Sequence, residues 1–193
     1  MDHRSPIWWG NLFLLIIETT MFGIVVAAYF YLRQNFERWP PPNGNMPQGL
    51  YRTDPLLGVA TINLVLIVLS CIPMALADLA CLKHNARLVK IGVGLCILMG
   101  AVAIWLRFEE FPRLLFRWDD NAYAATVWTI LGLHLLHLFT GTLENAVMMS
   151  WLLIKGLDDK HARDVRVTAV YWYWIAGTWV ILYGVIYVSP RIL

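Results

Sequence analysis

The sequence predicts an all-α integral membrane protein, a bundle of five transmembrane helices. Three observations carry that prediction. Of 193 residues, 59% are hydrophobic and 15% charged, with a mean hydropathy of +0.59; soluble domains carry about 25% charged residues. Five apolar stretches are each long enough to cross about 30 Å of hydrocarbon. Ten tryptophans and eight tyrosines fit aromatic anchoring at the two membrane boundaries. The net charge of +2 gives no reason to expect nucleic acid as a partner.

The first span is Trp8 to Leu32. The MDHRSP segment before it lacks a clear signal-peptide pattern, because the apolar run behind it is too long, contains Glu18 and has no evident cleavage site. Glu18 lies ten residues past Trp8, which is about 15 Å deep in an upright helix. A charged carboxylate is costly there, so Glu18 is expected to be protonated or paired. Its ordinary reading is a hydrogen-bonded structural glutamate. Its functional reading is a proton-linked or lipid-headgroup-binding carboxyl. Thr19 and Thr20 can bond back to helix carbonyls.

Arg33 to Pro55 is a non-helical connection containing WPPPNGNMPQG. It reads as a stiff surface connector or as a docking surface for a neighbouring subunit. The second span, Leu56 to Leu82, holds Asn63 and Ser70, which can hydrogen-bond across helices, and Pro73, which can kink it. Asp78 sits near its inner end, within reach of headgroups or Lys83. The third span, Val89 to Leu106, ends in WLRFEEFPR, where Glu109 and Glu110 read as a solvated interfacial pair with Arg107 or Arg113 as partners. The fourth, Tyr123 to Ile154, is the longest; its 32 residues run about 48 Å, so it must tilt or protrude. The fifth is Val167 to Val188. No internal repeat or second domain is visible, and residues 1–193 read as one transmembrane domain.

Lys and Arg are divided almost evenly between the two sides. With the N-terminus inside, the inner segments hold Arg4, Lys83, Arg87, Lys90, Lys155, Lys160, Arg163 and Arg166, one more than the outer segments, which include Arg38 and Arg52. That margin favours a cytoplasmic N-terminus and a periplasmic C-terminus.

Inside the fourth span the sequence reads LGLHLLHLFTG. His134 and His137, three residues apart, share a helix face. Thr140, Gly141 and Glu144 continue the stripe. A bis-histidine haem needs one ligand from each of two helices, and no other span has a histidine; His3, His84 and His161 are terminal or in loops. The chain is therefore expected to hold no haem, copper or other metal, and the stripe reads as polar glue between helices. Glu144 lies at a depth similar to Glu18, so the two could share a proton if their helices touch, with the histidines further outward. Cys71, Cys81 and Cys96 match no metal site or disulfide framework and read as small packing residues. No nucleotide loop, catalytic triad or metal motif appears.

Taken in order, these motifs resemble subunit III of the haem-copper respiratory oxidases. GLHLLHLFTG resembles that family's GxHxxHxxxG signature. IIETTMFG, with Glu18, resembles its segment with a carbodiimide-reactive intramembrane glutamate. Trp39, Pro40 and Pro41 match its WPP loop, FEE its short acidic motif, and AVYWYWIAGTWVILYGVIY its final helix. Two departures stand out. Tyr173 and Ala176 occupy positions where the family has His and Asp. The chain also begins at what would be the third helix of seven-helix members, so their lipid-holding cleft is expected to be absent, reshaped or completed by another subunit; five-helix members exist in some bacterial oxidases.

The resemblance implies a metal-free accessory subunit of a terminal oxidase in the bacterial inner membrane. Haem and copper are then expected in the partner catalytic subunit I. The implied roles are stabilising that subunit, supporting proton uptake, binding phospholipid and helping oxygen access, with other oxidase subunits and a respiratory supercomplex as further partners. A related accessory role in nitric oxide reductase is the nearest alternative. A self-contained proton-coupled transporter, with Glu18, Glu144 and the histidines as relay, is disfavoured by the lack of inverted repeats.

Overall fold

The computed structural model describes residues 6–37, 39–41 and 55–192. Five of its helices are long and apolar enough to cross a membrane. Helix α1 is Pro6–Arg33, α2 Leu57–Leu82, α3 Ala86–Glu110, α4 Ala122–Lys155 and α5 Asp159–Tyr183. A single 3-10 turn, Phe111–Leu114, continues α3. A π-helical turn, Gly184–Val188, continues α5 into the short α6, Ser189–Ile192.

Three helix ends reach beyond the expected spans. Helix α3 starts three residues before Val89 and runs four past Leu106, and α5 starts eight residues before Val167. Capping explains both starts. The Asn85 side chain accepts the Leu88 N–H, and the Asp158 side chain accepts the His161 N–H at 2.7 Å. Charges between Asp159 and Arg166 read as loop, yet His161, Ala162, Val165, Thr168 and Ala169 recur at helical spacing and are buried. An apolar stretch marks the hydrocarbon crossing, whereas the helix continues as long as one face has something to pack on. At α4, Asn121 accepts the Ala124 N–H at 2.8 Å, and Gly156, at φ 77°, ends the helix in a conformation that favours glycine.

Helix α5 is the hub. It packs on α2, α4 and α1, while α3 closes the other side against α2 and α4. Side-chain pairs fix the directions. Asn63 of α2 reaches Ala103 of α3, whereas Asp78 of α2 reaches Arg166 of α5. Both neighbours of α2 therefore run antiparallel to it. Close approach is set by glycines. A Cβ on Gly92 would lie 2.6 Å from the Pro73 carbonyl oxygen, and one on Gly100 would lie 2.5 Å from Thr142 Oγ1. Helix α2 runs through Pro73 without a break.

The main core gathers Tyr29, Tyr123, Ile130, Leu138, Trp172 and Trp179, and a smaller one joins α2, α3, α4 and α5 at the other end through Ala77, Val93, Leu152 and Val165. Helix α1 is peripheral and buries only Phe22 and Tyr29. Outward faces are apolar, with Ile62, Leu69 and Ile72 of α2 and Leu98 of α3 exposed, as a surface in hydrocarbon requires. All three cysteines are free thiols; Cys81 and Cys96 are buried and Cys71 is half-buried.

Of the Arg33 to Pro55 connection, residues 42–54 lie outside the described residues, as do Arg38, Arg4 and His3. Its described start folds back on the bundle. Trp39 Nε1 donates to Tyr29 Oη at 2.9 Å, its ring meets Tyr123 edge-on, and Pro40 and Pro41 are buried.

Candidate functional site

The helix stripe of α4 faces three neighbours, so its polar residues divide among them. His137 turns toward α1. Its Nε2 lies 2.8 Å from Glu18 Oε2, and its Nδ1 lies 2.6 Å from the Leu133 carbonyl oxygen. A carbonyl only accepts, so Nδ1 carries a hydrogen. One further proton is then shared between Nε2 and Glu18, either as an ion pair or as a carboxyl donating to a neutral ring. Phe22 and Trp174 pack beside this ring at centroid distances of 5.1 and 5.5 Å. The His137 side chain is 7% exposed and Glu18 22% exposed, which leaves the carboxyl at the edge of the bundle. Thr19 and Thr20 bond back to the Leu15 and Ile16 carbonyls, and Thr19 Oγ1 also accepts from Trp174 Nε1 at 2.9 Å.

His134, one turn away, is fully buried between α3 and α5. Its Nε2 lies 3.2 Å from the Ile175 carbonyl oxygen and must donate to it. Its Nδ1 then accepts from Arg107 Nη2, at 3.4 Å. The His134 ring stacks on Trp179 at 4.7 Å, and the Arg107 guanidinium sits 3.7 Å over the same indole. Arg107 Nη1 also donates to Glu110 Oε2 at 2.7 Å. Tyr187 Oη donates to the other Glu110 oxygen. Arg191 closes the end of the chain by donating to the Tyr187 and Pro55 carbonyls.

The expectation of a solvated Glu109 and Glu110 pair is therefore half corrected. Glu109 is half-exposed and lies 3.4 Å from Arg113, but Glu110 and Arg107 are buried, at 2% and 0% exposure. The 3-10 turn carries the chain on past Glu110 while the π-helical turn after α5 covers it with Tyr187. Burying both charges is tolerable only because each has a hydrogen-bonded counter-charge.

Glu144 accepts from Thr168 Oγ1 of α5 at 2.8 Å, and Glu18 takes His137, so proton sharing between the two carboxyls is replaced by two separate pairs. The depth expectation is corrected for His137, which is level with Glu18. Asn63 Nδ2 donates across to the Ala103 carbonyl at 3.2 Å. Ser70 donates to its own helix at Ile67 and accepts from Trp172 Nε1 of α5 at 2.9 Å. Asp78 pairs with Arg166 of α5 at 2.8 Å instead of Lys83, because α5 begins early enough to bring Arg166 alongside.

Sequence reasoning missed Trp179, Tyr187 and Arg191, and it took Arg107 for a surface residue. The available signal was the spacing of three between Arg107 and Glu110, which puts both on one face of a continued α3. Among the described residues no group of three or more His, Cys, Asp or Glu side chains is placed to hold a metal ion. Both ring nitrogens of His134 and of His137 are already engaged by the protein.

Residues 3–190 match the family model described as cytochrome c oxidase subunit III. Among curated proteins, the chain is similar to cytochrome c oxidase subunit 3 of Thermostichus vulcanus, 29% identical over 94% of this chain and 87% of that one. It is similar to cytochrome bo(3) ubiquinol oxidase subunit 3 of Pseudomonas aeruginosa, 26% identical over 96% of this chain and 86% of that one. It also matches heme-copper oxidase subunit I+III of Aeropyrum pernix, 23% identical over 95% of this chain and 22% of that much longer one.

Proposed function

Because this chain belongs to the cytochrome c oxidase subunit III family, we propose that it is the metal-free accessory subunit of a terminal haem-copper oxidase, seated beside the catalytic subunit that carries haem and copper. The family places it in the respiratory chain as a membrane protein that associates with other oxidase subunits. The observation that carries the accessory reading is the match over almost the whole chain. The relative whose name joins subunits I and III in one chain supports direct packing on subunit I. Those named relatives are oxidase subunits, which favours an oxidase over a nitric oxide reductase.

The finer roles are support of proton uptake, phospholipid binding and oxygen access, in the bacterial inner membrane with the N-terminus cytoplasmic and within a respiratory supercomplex. The Glu18 and His137 pair supports the first. It holds one proton at the edge of the bundle, at mid-membrane depth, where a neighbouring subunit or a lipid can reach the carboxyl. A transporter relay through Glu18 and Glu144 has less support, since each carboxyl has its own separate partner.

The test is a tagged purification in mild detergent, followed by an optical spectrum and mass spectrometry. A large catalytic oxidase subunit with haem absorbance should co-purify. A colourless chain without that partner would overturn the accessory role.

A further inference from the structure

A narrow slot opens between α2 and α3 on the outer face of the bundle, away from the polar networks. It encloses about 240 Å³. Leu76 and Leu79 form one wall, and Leu88, Ile91 and Leu95 the other. Its floor is small, with Gly92 and Ala80. Gly92 has no room for a Cβ against Pro73 and Ala77, so the two helices meet there and the slot lies along their seam. It runs parallel to the helices from Pro73 to Lys83. Those ten residues make it about 15 Å long, the depth of one leaflet of a 30 Å hydrocarbon core.

We infer that this slot holds one acyl chain of an anionic phospholipid, with the headgroup phosphate on Lys83. Dimensions argue for a lipid over a helix. A groove of about 240 Å³ running along a single seam between two touching helices takes an extended chain lengthwise, whereas a helix with side chains is about 10–12 Å across. Charge argues for an anionic headgroup. Lys83 is the one charged residue in the lining, it is exposed where α2 ends, and it makes no ion pair among the described residues. Arg87 and Lys90 follow on the first turns of α3. Of the acids at this end, Asp78 is engaged by Arg166, Asp158 by His161, and Asp159 by His84 at 3.7 Å. A lysine at the membrane boundary extends its ammonium to the headgroups. The inference deepens the lipid-binding part of the proposed function and rests on that reading only for the chain lying in a bilayer.

The experiment uses the intact purified complex, stripped of lipid in detergent and titrated with phosphatidylglycerol or phosphatidylcholine under native mass spectrometry. One tightly held phosphatidylglycerol per chain is expected. Ile91→Trp, which fills the slot from an exposed wall position, should abolish that binding. Lys83→Gln should weaken phosphatidylglycerol about fivefold, the worth of one lysine near an anionic surface, and leave phosphatidylcholine unchanged. Leu79→Trp, from the opposite wall, repeats the test if Ile91→Trp does not assemble. Undiminished phosphatidylglycerol in either tryptophan variant overturns the site, as does a cysteine at Leu79 that cross-links to a partner helix. Haem absorbance is read on each sample. A haem-bearing complex with no slot-dependent lipid sinks the lipid site alone, and a haem-free chain that still binds one phosphatidylglycerol sinks the accessory role alone.

Discussion

Glu18 meets the cost of a carboxyl at mid-membrane depth with one hydrogen bond, to His137. Replacing it by alanine removes the shared proton and leaves the ring unpartnered at Nε2 at the edge of the bundle. Glu18→Ala is therefore expected to leave the haem spectrum of the complex unchanged while shortening its working life under turnover, with Glu18→Gln intermediate because the amide still bonds the ring. Turnover-dependent inactivation measures this, and equal lifetimes for all three forms would remove the proton-uptake role. Arg107 makes the opposite case, being structural and deeply buried. Arg107→Met alone strands the Glu110 carboxylate and should cost about 3–5 kcal/mol. Pairing it with Glu110→Gln should recover much of that, since the amide oxygen still accepts from Tyr187. Thermal unfolding in detergent compares the two, and a single variant as stable as the parent would contradict the buried ion pair. Of these groups, Glu18 and the two histidines were legible from sequence because an ionisable residue inside an apolar run is conspicuous. Arg107 was not, because an arginine just beyond an apolar run looks interfacial until the rest of the chain covers it.

At the scale of the helix, two glycines separate packing from propensity. A Cβ at Gly92 would press on the Pro73 backbone oxygen at 2.6 Å, which cannot swing away, while one at Gly132 would meet nothing within 4 Å. Gly92→Ala should lower the thermal midpoint of the chain, whereas Gly132→Ala should be neutral or raise stability by up to about 1 kcal/mol. A loss of equal size at both positions would show that the α2 and α3 seam is not set by close approach. The start of α5 carries a pH dependence of its own. The His161 backbone N–H, and after it the His161 side chain, hold the Asp158 carboxyl below its ordinary range. A depressed folded pKa means that the cap stabilises the helix start above the ordinary carboxylate range and is lost as pH falls through the lowered value. Hydrogen-exchange protection at 159–163, taken relative to the intrinsic rate at each pH, should fall on acidification, and Asp158→Asn should flatten that response; a flat protection profile in the parent would exclude the carboxylate cap. The same residue explains why α5 was read too short. Hydropathy reports where hydrocarbon ends, and an Asp cap followed by charged turns lies beyond that limit while remaining helical.

Five crossings would put residues 6 and 192 on opposite sides of the membrane, and the near-even Lys and Arg balance gives the expectation of a cytoplasmic N-terminus. Side-specific reporters fused at each end should respond oppositely, the N-terminal one from the cytoplasm. Two reporters on one side would remove a span from the count. The number of helices, their apolar length and their family motifs were determined by sequence alone, because membrane crossing is a local requirement met within each segment: every backbone group must be bonded inside its own helix. Partner choice between helices was decided only by the tertiary structure. Which side chain faces which neighbour depends on how helices rotate and slide against one another, and glycines at the seams set that. The result gives His137 to Glu18, His134 to Arg107, Glu144 to Thr168 and Asp78 to Arg166, and it turns Glu110 from a solvated residue into a buried one.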